Sequence, residues 1–227
     1  MPTEESRHDR LRSTPATTQK PIPHGIRRPR RGIEIRRFCY ARSTRVASPH
    51  PQLATGATVL DTGDVRITLN ELTVNFDHLH RERLLDDWRW LIGPSKQPIL
   101  LSAIGDAFVQ DEHDGTVHLL DTAAGTCQLV AEDEAEFRNL LTDAQWATDH
   151  LAVEAVVDFL DNDLRLASGQ IYSWKQPPAL GGKYELANAA IADIEVHFSI
   201  TGQLHEQLRS LPPATPVSEV RFKSGSG

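Results

Sequence analysis

Apolar residues recur with a readable period only from about residue 65 onward. Leu84, Leu85, Trp88, Leu91 and Ile92 fall at i, i+1, i+4, i+7 and i+8, the single face of a helix predicted over 78–92, with Asp77 as its cap and Gly93-Pro94 as its stop. A short strand is predicted at Ile67-Thr-Leu69. Three further short runs, at 99–104, 108–109 and 116–120, have the look of strands, and Asp114-Gly115 between the last two is a hairpin signal. A turn at Ala124-Gly125 leads to a fourth run at Cys127–Val130, so the four form an antiparallel meander. Two helices are predicted next, over 132–141 and 143–162, the second apolar nearly all round apart from Glu154, Asp158 and Asp161. Residues 193–200 alternate, with Ile194, Val196, Phe198 and Ile200 on one side, which predicts a half-buried strand. Leu204, Leu208 and Leu211 predict a short helix ending at Pro212-Pro213, and 217–222 a last strand. These elements describe one α+β domain over 65–222, a mainly antiparallel sheet with packed helices, followed by a flexible tail at 223–227.

Residues 1–64 show no such period. Pro2, Pro15, Pro21, Pro23, Pro29, Pro49 and Pro51 interrupt any helix, and the Arg-rich sequence between them supplies no core, so the segment reads as a disordered basic arm. Charge divides the chain at the same place. Residues 1–50 hold twelve Lys/Arg against four Asp/Glu (+8), and residues 51–227 hold twelve against 27 (−15), which together give the chain's −7. A strongly acidic body points to a basic partner.

The remaining composition excludes more than it suggests. Two cysteines, Cys39 and Cys127, do not make a disulfide framework, and no apolar run approaches the ~20 residues that span a bilayer. A cytoplasmic protein with no membrane association is the expectation. His78 and His80 lie two apart and point different ways, His197 and His205 lie eight apart, and no metal-ligand spacing appears, so no metal or other cofactor is expected. Leu180-Gly181-Gly182 lacks the Lys-Ser/Thr of a phosphate loop and reads as a tight turn. Asp111, Glu112 and Asp114 gather on the predicted hairpin. Glu132, Asp133, Glu134 and Glu136 open a helix, where acids meet the positive end of its dipole. No nucleophile or paired acid–base arrangement stands out, and an enzyme is not expected.

One stretch is more specific than any of this. Tyr172-Ser-Trp174, then Pro177-Pro178, Leu180-Gly181-Gly182-Lys-Tyr184, Asn188, and a closing Gly202-Gln203-Leu-His205-Glu-Gln207 resemble the C-terminal domain of the type VI secretion DNase-immunity proteins of bacteria. The resemblance is clearest from about Pro98 to Leu211. It implies an immunity protein that binds a cognate secreted toxin, a nuclease effector, and neutralises it by steric and electrostatic occlusion. Within that reading Tyr172, Trp174, Pro178, Gly181, Gly182, Asn188, Gln203 and His205 are signature positions with structural roles, and Asp111, Glu112, Asp114 and Tyr184 are candidate toxin contacts. An acidic surface would compete with DNA for a nuclease's cationic groove. The alternative is a nucleic-acid-binding regulator that uses Arg27-Arg-Pro-Arg-Arg31 and Arg36-Arg37 of the basic arm.

Overall fold

A computed structural model describes residues 59–61, 66–212, 217 and 219–223. Strand β1 (Val59–Asp61) pairs with β2 (Arg66–Thr68), and α1 (Leu69–Leu72) follows, capped by Thr68 in a capping box with Glu71. Strand β3 (Thr73–Val74) comes next, then the irregular stretch 75–88 and the single turn α2 (Arg89–Ile92). The meander follows as β4 (Lys96–Ser102), β5 (Ala107–Asp111), β6 (Val117–Asp121) and β7 (Thr126–Ala131). Strands β3 to β7 form one antiparallel sheet in chain order. Helices α3 (Glu134–Leu140), α4 (Ala144–His150) and α5 (Val153–Asp161) come next. The hairpin β8 (Gln170–Trp174) and β9 (Ala189–Asp193) and the closing helix α6 (Ile194–Leu208) complete the described residues.

Both faces of the five-stranded sheet are covered, which is why its strands read as apolar runs with little alternation. Leu100, Phe108 and Val117 point to one side and meet Phe137, Leu141, Ala147, Val156 and Phe159 from α3, α4 and α5. Leu101, Ala107, Val109 and Leu120 point to the other and meet Leu84, Leu85, Trp88, Ile92, Ile194 and Phe198. The result is an α+β fold with a mainly antiparallel sheet.

Four expectations are corrected. No continuous helix spans 78–92: the chain makes turns, a 3-10 turn at Asp86–Trp88 and then α2. The apolar face survives, since Leu84, Leu85, Trp88 and Ile92 are all buried. The irregular path is held by the Arg89 guanidinium, which donates to the carbonyls of Glu82 (2.8 Å) and Lys96 (2.6 Å). The helix predicted over 143–162 is two, because Ala152 takes a left-handed conformation (φ 48°) between α4 and α5. The strand predicted at 193–200 and the short helix after it are instead the one helix α6, whose start is capped by the Asp193 carboxylate accepting from the amides of Glu195 and Val196. No strand forms among the described residues of 217–222. Of the expected basic arm, β1 falls within its last residues. Residues 1–58, with Arg27 to Arg31, Arg36 and Arg37, lie outside the described residues, as do 224–227 of the expected tail.

Candidate functional site

The signature stretch builds a loop. Pro177 leads into a 3-10 turn at Pro178–Leu180, and Gly181 ends it at φ 84°. A Cβ on Gly182 would lie 1.8 Å from the Gln176 carbonyl oxygen, so only glycine lets the chain double back there. Asn188 closes the loop. Its side-chain oxygen accepts from the Gln176 amide (2.9 Å), and its Nδ2 donates to the carbonyls of Gln176 and Lys183 (both 2.9 Å). Lys175 adds a backbone bond to the Asn188 carbonyl (2.8 Å). Asn188→Ala removes three hydrogen bonds at a partly exposed site and should cost about 1–2 kcal/mol in urea unfolding, with faster hydrogen exchange confined to 175–188.

The loop presents Tyr184, 67% exposed, against Trp174, ring edge to ring face with centroids 5.3 Å apart. Trp174 in turn contacts the buried Phe159. Tyr172 is buried on the same strand, its hydroxyl donating to the Leu164 carbonyl (2.9 Å) and its ring against Phe159.

Opposite this loop lies the open end of the β5–β6 hairpin. Asp106 precedes β5, Asp121 ends β6, and the two chains are tied by Thr122, whose amide donates to Asp106 Oδ1 (2.9 Å). His197 of α6 pins the same neck. With a carbonyl as partner its Nε2 must be the donor, to Gly105 O (3.1 Å), so Nδ1 accepts from the Ser173 hydroxyl (2.9 Å). Burial holds His197 down at about 4, so it is neutral at ordinary pH. A Cβ on Gly105 would lie 2.5 Å from its Nε2.

Between neck, loop and α5 is a cavity of about 220 Å³, lined by Ile104, Asp106, Asp121, Ala123, Ala152, Ala155, Asp158, Phe159, Trp174, Tyr184, Glu185 and Leu186. Four of these are carboxylates and none is basic. Asp106 is only 7% exposed, and its pKa is pushed up to about 7, first by burial and then by the charge of Asp121. Its Oδ1 takes the amide and hydroxyl of Thr122, and its Oδ2 has no partner among the described residues. Asp121 Oδ1 caps the following turn through the amides of Ala123 and Ala124. The carboxylates of Asp158 and Glu185 are exposed and make no bond among the described residues.

The candidate contacts from sequence divide here. Tyr184 stands at the rim of the cavity. Asp111, Glu112 and Asp114 sit at the far end of the same hairpin, about 17 Å away for five residues of strand. Asp111 is engaged by the His113 amide, Lys96 (2.9 Å) and Ser95, which in that order hold its carboxyl down at about 2. Asp114 accepts from the Thr116 amide and hydroxyl in the turn, and Glu112 is exposed. Gln203 and His205 lie elsewhere again, on the inner face of α6. Gln203 joins Ser199 and Asp87, and the His205 ring lies against Trp88 and against Gly125, where a Cβ would approach Nδ1 to 2.2 Å. Sequence reasoning missed Asp106, Asp121 and Glu185 as site residues, and saw Asp158 only as part of a polar stripe. They come from four separate elements, and no spacing joins them.

Residues 131–205, about a third of the chain, match the family described as T6SS immunity protein Tdi1, C-terminal. The match takes in β8, the loop and α5, hence eight of the twelve residues that line the cavity. No curated protein matches the chain. Among solved structures, the crystal structure of Atu4351 from Agrobacterium tumefaciens is similar at 18% identity, covering 66% of this chain and 71% of that chain with a TM-score of 0.39, a likeness too loose to argue from. Among the described residues no helix is long and apolar enough to cross a membrane.

Proposed function

With the match over 131–205 as premise, we propose that this protein is an immunity factor that binds a cognate secreted toxin in the cytoplasm and neutralises it by covering its working surface, with contact and not turnover as its task. The finer reading, a nuclease as the toxin, is supported by the balance of charge: residues 51–227 carry a net −15, the complement of a surface that grips phosphates. Opposed fields of this kind speed encounter toward about 10⁸–10⁹ M⁻¹s⁻¹ at low salt. The observation that carries the reading is that the matched segment supplies the aromatic wall and eight of the twelve residues of the acidic cleft. Exposed Tyr184 beside Trp174 is the kind of aromatic pair that dominates interfaces energetically.

The test is genetic and then physical. A toxin encoded by the adjacent reading frame, expressed in a sensitive host, should lose its lethality when this protein is co-expressed, and the two should co-purify one to one. Full lethality in the presence of the protein, with no complex on a sizing column, overturns the proposal. Removal of residues 1–58 should leave protection intact. Loss of protection on that truncation, with DNA binding that weakens steeply as salt rises, would favour the regulator that uses the basic arm.

A second reading has one observation behind it. A carboxyl pushed up to about 7 in a cleft is the signature of an acid–base catalyst. Its mark would be conversion of a small substrate by the pure protein, abolished by Asp106→Asn. Protection against the toxin that survives Asp106→Asn would speak against it.

A further inference from the structure

The cleft selects its ligand by composition. Asp106, Asp121, Asp158 and Glu185 face it and no Lys, Arg or His does, so an anionic ligand, nucleic acid included, is repelled. A bare metal ion is poorly served, since among the described residues no three acids, histidines or cysteines converge as ligands. At about 220 Å³ the space falls below the roughly 300–1,000 Å³ of small-molecule pockets and suits a single long side chain. Trp174 and Tyr184 supply aromatic surface to a cation's stem and charge. Asp106 is the most buried of the four, at 7% exposed, and beyond the Thr122 bonds to its Oδ1 it accepts nothing among the described residues, so its Oδ2 is free for a donor that enters the cleft.

We propose that this cleft is a socket for one arginine side chain of the toxin, with the guanidinium between Asp106 and Asp121, the stem along Trp174 and Tyr184, and Asp158 and Glu185 at the mouth. The proposal rests on the immunity reading for the source of the arginine. A planar guanidinium fits better than an ammonium, because its fork of donors can satisfy two carboxylates at once and its face stacks on aromatic rings. The mouth is open to an incoming chain, since Tyr184, Glu185 and Leu186 are all exposed.

The full-length protein, labelled with ¹⁵N, is titrated with N-acetyl-arginine methylamide while the Trp174 indole N–H is followed, its resonance assigned with Trp174→Phe. A saturating shift is expected, with little or none from the citrulline analogue, which has the same shape and no charge. Asp121→Asn/Asp158→Asn should weaken the response about tenfold or more, the effect of losing ~1.4 kcal/mol. A charge-matched control, Glu82→Gln/Glu195→Gln, removes exposed acids away from the cleft and should stay within about twofold, and thermal unfolding confirms that both variants are folded. Equal shifts from the arginine and citrulline probes, or equal weakening by the two double variants, overturn the socket. With the adjacent-frame toxin, the Asp121/Asp158 variant should lose affinity about 100-fold, as expected when a buried charge pair is broken. Undiminished capture overturns the socket and leaves the immunity reading standing. Failure of the wild type to protect overturns immunity and the toxin as the source of the arginine, while the titration still decides the cation chemistry of the cleft.

Discussion

Asp106→Asn is expected to make the protein more stable at pH 8, by about 2–4 kcal/mol. Burial pushes the carboxyl up to about 7 in the folded chain against 3.8 for a free aspartate, so folding holds a proton that the unfolded chain releases. A raised carboxylate of this kind lowers stability as pH rises from about 4 through 7, with a ceiling near 4 kcal/mol at ~1.36 kcal/mol per pH unit. Asparagine keeps an oxygen to accept the Thr122 amide and removes the buried charge. The gain should therefore be largest above pH 7 and shrink steadily toward pH 4, as measured by urea midpoints across that range. His197 works in the opposite sense. Burial holds it down at about 4 against 6.5 for a free imidazole, so its contribution is lost as pH falls from about 6.5 toward 4, with a ceiling near 3 kcal/mol. In the wild type the two slopes offset each other between pH 4 and 6.5. In Asp106→Asn only the histidine slope remains, and stability should climb visibly over that window. A gain independent of pH, or a loss, would show that the Asp106 carboxyl is not under strain. Groups that cost stability in this way are retained where binding or catalysis needs them.

Phe198→Ala should cost about 3–5 kcal/mol, whereas Val196→Ala should change stability by less than ~0.5 kcal/mol. Phe198 is fully buried under the sheet among Leu85, Trp88 and Ile194, but Val196, two residues earlier, is 51% exposed. On a strand both side chains would face the core and both truncations would hurt. A large effect at Val196, read from denaturant midpoints with unchanged slopes, would argue against helix α6 as described.

That comparison also shows why α6 was hidden. Its buried face is Ile194, His197, Phe198, Gly202, Gln203, Leu204 and His205, mostly polar or small, while Val196 and Ile200 look outward. Burial tracks packing here: Gly202 is buried because Asp87 crosses so close that a Cβ would lie 2.6 Å from its carbonyl oxygen, and His197 because it pins the hairpin neck. With His197, Gln203 and His205 inside and Val196 and Ile200 outside, a period of two imitated a strand. The meander was legible because each turn has its own local chemistry. Asp114 accepts from Thr116 beside Gly115 at φ 78°, and Asp121 caps the turn that ends with Gly125 at φ 67°. The break at Ala152 was not legible, since no glycine or proline marks it. The cleft was legible only at Trp174 and Tyr184, through the signature. Asp106 and Asp121 are neighbours because the hairpin returns the chain, and Asp158 and Glu185 join them through tertiary packing that no local pattern encodes.

The two-sided sheet has a consequence for how the family segment is regarded. Residues 131–205 supply the cladding, with α3, α4 and α5 on one face and α6 on the other, but all of the sheet they clothe except the last residue of β7 comes from upstream. Cut out alone, that stretch would be upholstery without a frame, with Phe137 and Phe198 stripped of the sheet they pack on. In this chain the matched stretch depends on a sheet that lies almost wholly outside it for those side chains to cover.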